Sequence, residues 1–295
     1  MSPWRWELSY SGFVIYKIMK NLLFILFIFS IFFFTPIFHA RAVEPIKILL
    51  VPGHDNKVWG AQYGNIKEAA MTLALATRIY NILKQDKRFA VYITRNSQGY
   101  MKEFADYFAN QQADILAFKE NARKIMRDKI VNGSFVQKKN VPHHRVSEDV
   151  AIRLYGFNKW ADENKIDAMI HIHFNDYPRP NKWTIGKYKG FAIYLPDGQF
   201  PNSKESAQLA ADISTQLRKK YATSSYKLEA GGLVPDQTLI ALGSNGTLNV
   251  SVRSVLIEYS YIYEKKFRTK SARLQAYKNM AALTATGIKN YFFGE

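Results

Sequence analysis

Residues 49–70 read LLVPGHDNKVWGAQYGNIKEAA. The segment opens on the end of an apolar run, Ile46–Val51, that reads as a buried strand, and it closes on the start of a helical pattern. Leu73, Ala76, Ile79, Tyr80 and Leu83 recur at spacings of three and four along that pattern, the mark of one apolar helix face. A strand, a glycine-dotted loop and a helix in this order make the first unit of an α/β fold. In open α/β sheets, sites form where loops converge beyond the carboxyl ends of strands. His54 falls just past such an end, and Glu68 follows fourteen residues later in the first turn of the helix. Pro52-Gly53 turns the chain so that His54 points into a site, and Gly60 and Gly64 let the loop bend back.

The same alternation continues along the chain. Strands are expected at Ile46–Val51, Phe89–Ile93, Ala168–Phe174, Phe191–Leu195 and Val255–Tyr259, and helices at Ile66–Lys84, Glu148–Glu163, Lys204–Lys220 and Lys270–Tyr291. This predicts a single α/β domain with a mostly parallel central sheet flanked by helices. Ser147 and Ser203 stand where helix N-caps belong. Residues 97–147 break the rhythm with a helix-like stretch, Met101–Met126, and a polar loop, and read as an insertion over one edge of the sheet.

If these strands run parallel, His173 near the end of AMIHIHFND and Glu258 near the end of SVLIEYS reach the same sheet edge as His54 and Glu68. Each residue alone has a plainer reading. Glutamate in a first helical turn suits the helix dipole, His54 can be a turn histidine, and His171, His173 and Asn175 can share a half-solvated strand face. Glu258 resists such a reading, because it interrupts an apolar central strand where an unpaired carboxylate is costly. Together they suggest metal-assisted hydrolysis: two histidines and a glutamate are a common zinc set with a position left for water, and a further carboxylate can serve as base and acid. His143-His144 lies in the polar loop, either solvated or poised over the site.

The blocks VPGHDNKVWGAQYGNIKEAA, YITRN, MIHIHFND, GFAIYLPD and VLIEYSYIYE resemble, in order, the motifs of the zinc-dependent N-acetylmuramoyl-L-alanine amidases of the amidase-3 type. The resemblance spans residues 46–292, with Gly60-Ala61 and Glu68 in register with the first motif, His173-Phe174-Asn175 with the second and Glu258 with the third. It implies a phosphorylase/hydrolase-like domain in which His54, Glu68 and His173 bind Zn2+ and Glu258 is catalytic. It also implies cleavage of the amide between N-acetylmuramic acid and the L-alanine of the peptidoglycan stem. His171 and Asn175 become candidates for supporting the ligands, orienting substrate or stabilising an oxyanion. The chain departs from the pattern at Asp55-Asn56, where relatives have glycines, and at His171, where they have a small residue.

The absence of cysteine among the 295 residues removes thiol nucleophiles, disulfides and cysteine metal sites. Lys17 and Lys20, the apolar run Leu22–Phe34 and Ala40-Arg41-Ala42 follow the order of a secretory signal peptide, with Met19 as the natural start. Residues 1–42 are therefore expected to be a cleaved signal peptide or a retained N-terminal anchor, and residues 43–295 an exported catalytic domain, periplasmic or extracellular. Membrane contact is expected only if the anchor is retained. Losing Arg5, Lys17, Lys20, Arg41 and Glu7 lowers the net charge from +17 to +14, still strongly basic. That charge suits an anionic cell envelope, and no nucleic-acid recognition signature accompanies it. A monomer is expected, with peptidoglycan as partner and a regulatory activator protein as a second. The competing readings are a non-catalytic wall-binding module, which has no need of all four site residues, and a zinc hydrolase of another amide.

Overall fold

In chain order the elements are β1 (Ile46–Pro52), β2 (Gln62–Tyr63), β3 (Ile66–Lys67), α1 (Glu68–Leu83), β4 (Phe89–Ile93), α2 (Lys102–Asn110), α3 (Gln112–Val131), α4 (Glu148–Glu163), β5 (Ala168–Asn175), β6 (Ala192–Pro196), α5 (Ser203–Arg218), β7 (Leu233–Asp236), β8 (Arg253–Tyr261), α6 (Lys265–Arg268) and α7 (Lys270–Phe293). The structure, a computed structural model, describes residues 44–138 and 146–295 together with Lys20. The expected signal peptide or anchor and His143-His144 lie outside the described residues. Among those described, no helix is long and apolar enough to cross a membrane.

Six strands form one sheet in the order β4-β1-β5-β8-β6-β7. β4, β1, β5 and β8 run parallel to one another, whereas β6 is antiparallel to β8 and parallel to β7. The sheet is therefore mostly parallel, as expected, with its direction reversed at one side. β1 and β5 are interior strands, and their near-continuous apolar sequences suit strands covered on both faces.

Side chains alternate across the sheet and sort the core into two layers. Ile48, Leu50, Ile170, Ile172, Val255 and Ile257 pack with Leu75, Ile79, Ile213 and Met280 from α1, α5 and α7. Leu49, Val51 and Met169 face the other way, onto Phe104, Phe157 and Trp160. Burying each large aliphatic chain stabilises the fold by about 1.5–3 kcal/mol. α7 lies close enough to α5 that a Cβ on Gly287 would come within 2.5 Å of the Ile213 Cα.

The described part of the expected insertion, residues 97–138, packs on this second layer through its helices. Its helix-like stretch is two helices, α2 and α3, divided at Gln111. Phe104 of α2 is 1% exposed and its ring lies 4.7 Å from that of Trp160, while Ile115 of α3 packs on Tyr155 of α4. Three details differ from the sequence reading. Ile66 and Lys67 belong to a small hairpin with Gln62 and Tyr63, so the helix begins at Glu68 itself. Asn202 rather than Ser203 holds the N-cap position of α5, and Ser147 caps α4 in position but makes no side-chain cap bond. β7, carrying Pro235, is an additional edge strand.

Candidate functional site

His54, Glu68 and His173 meet at the carboxyl edge of β1 and β5, with one donor atom from each lying within 4.8 Å of the others. Glu68 is the hub. Its Oε2 is 3.1 Å from His54 Nε2 and its Oε1 is 3.0 Å from His173 Nδ1. Backbone donors fix both oxygens, Ala61 N–H at 2.8 Å to Oε2 and Phe174 N–H at 3.1 Å to Oε1. Burial alone pushes the Glu68 carboxyl up. The hydrogen bonds from His173 and His54 outweigh it and hold the group well below the usual carboxylate range. Burial drives the His173 imidazole down; at His54 burial is opposed and overcome by Glu68, so that its pKa rises.

Glycine makes this convergence possible at two points. A Cβ on Gly53 would stand 2.2 Å from the His173 ring, and one on Gly60 would stand 2.3 Å from the His54 ring and 2.5 Å from Glu68 Oε2. Gly60 also has φ +70°, a left-handed conformation natural only to glycine. His54 itself adopts φ +61°. Such a conformation in a non-glycine residue costs about 1 kcal/mol or more and persists only where its surroundings enforce it.

Arg95 supplies that enforcement. Although 2% exposed, it donates to the carbonyls of Gly53 at 3.1 Å, Ala69 at 2.8 Å and Pro52 at 3.3 Å, and to Thr72 Oγ1 at 3.0 Å. Thr72 in turn donates to the Gly53 carbonyl at 2.7 Å. Asp55 braces the other flank, accepting from Lys57 N–H and Val58 N–H at 2.8 Å each and from Tyr100 Oη at 3.3 Å, with Arg153 3.8 Å away. Sequence reasoning noted Asp55 only as a departure from the family pattern at the mouth of the site, and passed over Arg95 and Thr72. The available signal was a single arginine directly beyond the strand Phe89–Ile93, at the edge where the site forms.

Glu258 pairs in register with His173 across β5 and β8. The carboxyl is buried, its Oε2 finds no hydrogen-bond partner in the protein, and burial together with the charges of Glu68 and Glu229 pushes its pKa well above the usual range. His171 lies on the same strand face as His173 but is 1% exposed, with Nε2 unpartnered and its pKa lowered by burial to about 3. It is a neutral wall residue. Asn175 donates to Glu229 Oε1 at 2.7 Å, and Tyr194 and Tyr261 hold the same carboxylate at 2.7 and 2.9 Å.

Two hollows share His54 and His173. One is a chamber of about 910 Å³ walled by Val51, Tyr100, Leu154, Phe157 and Leu256, with Arg123 and Arg153 also lining it. The other, about 610 Å³, is an open polar cleft bounded by Glu68, Asn175, Arg179, Lys182 and Glu258. Two imidazoles and a carboxylate with oxygens on both sides form a donor set suited to zinc in a hydrolytic site. The fit is supported by Glu68 facing both rings and by the unpartnered carboxylate of Glu258 beside them.

The model of a family described as N-acetylmuramoyl-L-alanine amidase matches residues 48–118 and 120–290. Among solved structures, the chain resembles the CwlD amidase of Clostridioides difficile, solved in complex with the GerS lipoprotein, at TM-score 0.54 and 15% identity over 85% of this chain and 100% of that one. It resembles the N-acetylmuramyl-L-alanine amidase Ami1 of Mycobacterium smegmatis at TM-score 0.51 and 15% identity, covering 86% and 99% of the two chains. Ami1 of Mycobacterium abscessus gives TM-score 0.53 and 14% identity, covering 84% and 99%. At these identities the likeness establishes a shared fold. No curated protein matches the sequence. The family match spans most of the chain, and the protein therefore belongs to the N-acetylmuramoyl-L-alanine amidases, enzymes that act on cell-wall peptidoglycan.

Proposed function

We propose that in this amidase His54, Glu68 and His173 hold a zinc ion and Glu258 moves the proton during cleavage of the lactyl amide. The observation that carries this reading is the convergence of the three donors within 4.8 Å beside a buried carboxylate from the neighbouring strand. Zinc bound there would polarise the scissile carbonyl and acidify a water molecule. Glu258, made more basic by its burial, takes the proton from the attacking water and delivers it to the departing alanine nitrogen. Asn175, fixed by Glu229, lines the cleft and orients substrate. The substrate lies across both hollows, its glycan in the polar cleft and its stem peptide toward the apolar chamber.

In this reading residues 43–295 act as one catalytic domain with 97–147 as an insertion within it. Residues 1–42 direct its export to the cell envelope, their basic and apolar order being the support. An activator protein is part of the same proposal, prompted by the complex in which the CwlD amidase was solved. Peptide release from purified peptidoglycan tests the reading. The wild type is expected to free peptides with N-terminal L-alanine, and a zinc chelator to stop it. Release that persists undiminished after zinc is stripped would overturn the metal assignment.

A further inference from the structure

We propose that the rim of the polar cleft is a platform for the glycan strand the reaction leaves behind, a strand carrying freed lactyl carboxylates; this rests on the amidase reading above. The rim consists of the end of the β1–β2 loop, the β2–β3 hairpin and the loop that follows β5, and it exposes two indoles. Trp183 is 60% exposed and Trp59 is 46% exposed. Exposed apolar surface of this kind, bordering a cleft and ringed by polar groups, marks a contact site.

Both indoles are seated. Trp183 lies against Gly64 so closely that a Cβ there would come within 2.5 Å of the ring, and Gly64 has φ +56°. Gly64 N–H donates to the Lys182 carbonyl at 2.9 Å, joining the hairpin to the loop. One face of this indole is thus backed by main chain while much of the residue stays open to solvent. A flat aromatic face held outward is the surface on which the C–H face of a pyranose stacks. Trp59 is fixed by its Nε1–H donating to the Asn56 carbonyl at 2.9 Å, and Lys67 Nζ lies 3.0 Å from its ring centroid.

The charges point to the product. Lys67 and Lys182 accompany the indoles, the latter with Nζ 5.8 Å from the Trp183 centroid, and among the described residues neither pairs with a carboxylate. The acid closest in sequence on the loop, Asp176, is neutralised by Arg179, whose Nε and Nη2 donate to its two oxygens at 2.8 and 2.7 Å. In the substrate strand the lactyl carbonyl is tied up as a neutral amide. Hydrolysis adds the water oxygen to that carbonyl, breaks its bond to nitrogen and passes both water protons to that nitrogen, leaving a carboxylate on the glycan and an ammonium on the peptide. Each cleavage therefore places one carboxylate on the glycan itself, where an uncut unit carries a neutral amide. A cationic aromatic rim beside the cleft favours stretches already cut and keeps the enzyme where the next uncut unit adjoins them.

The test measures equilibrium binding of the protein to three probes: glycan strands stripped of stem peptides, the same strands with their lactyl carboxylates converted to amides, and N-acetylglucosamine oligomers, which have no lactyl group. Peptide release from intact peptidoglycan is followed in parallel. The wild type is expected to prefer stripped strands, and added salt to weaken that binding. Trp183→Ala is expected to weaken it about tenfold, with Trp183→Phe restoring most of the loss. Lys67→Ala with Lys182→Ala is expected to remove the preference for free over amidated carboxylates. Equal binding of wild type and Trp183→Ala to stripped strands, or of wild type to all three probes, overturns the platform. Peptide release keeps this apart from the amidase reading: release with no effect of Trp183→Ala on binding sinks the platform alone. Loss of binding in Trp183→Ala beside a wild type that frees no peptide supports the platform and removes the catalytic assignment.

Discussion

Glu258 and His173 stand side by side on adjacent parallel strands, paired in register at the edge where β5 and β8 end. One belongs to the convergent donor set and the other is a buried carboxylate with an unpartnered oxygen. Glu258→Gln keeps the shape and removes the proton acceptor. Peptide release is expected to fall by about 10²–10⁴-fold while zinc content stays at the wild-type level. A Glu258→Gln protein with near-normal kcat would assign the proton transfer to another group.

Gly60→Ala places a methyl group where the His54 ring and Glu68 Oε2 already sit, at a backbone angle that alanine resists. Zinc affinity is expected to drop at least tenfold, measured by competition with a chromophoric chelator. Gly198→Ala is the control, since a Cβ there meets nothing within 4 Å.

Phe104→Ala tests whether the insertion is a structural part of the domain. The side chain is 1% exposed and wedged against Phe157 and Trp160, so its truncation is expected to cost about 3–5 kcal/mol in denaturant unfolding. A cost below about 1 kcal/mol would describe helices that rest loosely on the sheet.

Asp162 gives a pH-dependent prediction away from the metal-competent cluster. Burial raises its pKa to about 6, with Glu163 adding repulsion and the Asn249 N–H, 3.0 Å from Oδ1, opposing the shift. Its place in the last turn of α4, at the negative end of the helix dipole, is also unfavourable for an anion. A folded-state pKa above the unfolded one means that the proton stabilises the fold at low pH and that this contribution is lost as pH rises through about 6. Asp162→Asn is therefore expected to raise stability near pH 8 by about 1 kcal/mol, discounted for partial exposure, and to confer no such gain below pH ~4. Thermal melts of both proteins across this range check the sign.

Much of this arrangement was legible because it rests on local patterns. The apolar runs around Ile48, Ile170 and Ile257 marked the central strands, and histidine or glutamate at their ends marked the site edge. What escaped depends on contacts distant in sequence or too short to show a period. β7 contains Pro235, which lowers strand propensity and is tolerated because the strand is at the sheet edge. The apolar run of β6 reads the same whichever way it points, so its antiparallel pairing with β8 was invisible. The division between α2 and α3 falls at Gln111, without proline or glycine to announce it. Arg95 acts through carbonyls 26–43 residues away, and these main-chain partners leave no trace in side-chain identity.

The sheet order also sets a timetable. β8, the strand that brings Glu258, follows β5 and β6 in sequence, yet it lies between them inside the sheet. The strand that leads to His54 and the strand that bears His173 thus precede in sequence the strand that bears the proposed proton carrier. In the proposed mechanism, hydrolytic competence waits for β8 to insert between β5 and β6, so cutting activity is tied to completion of the sheet itself.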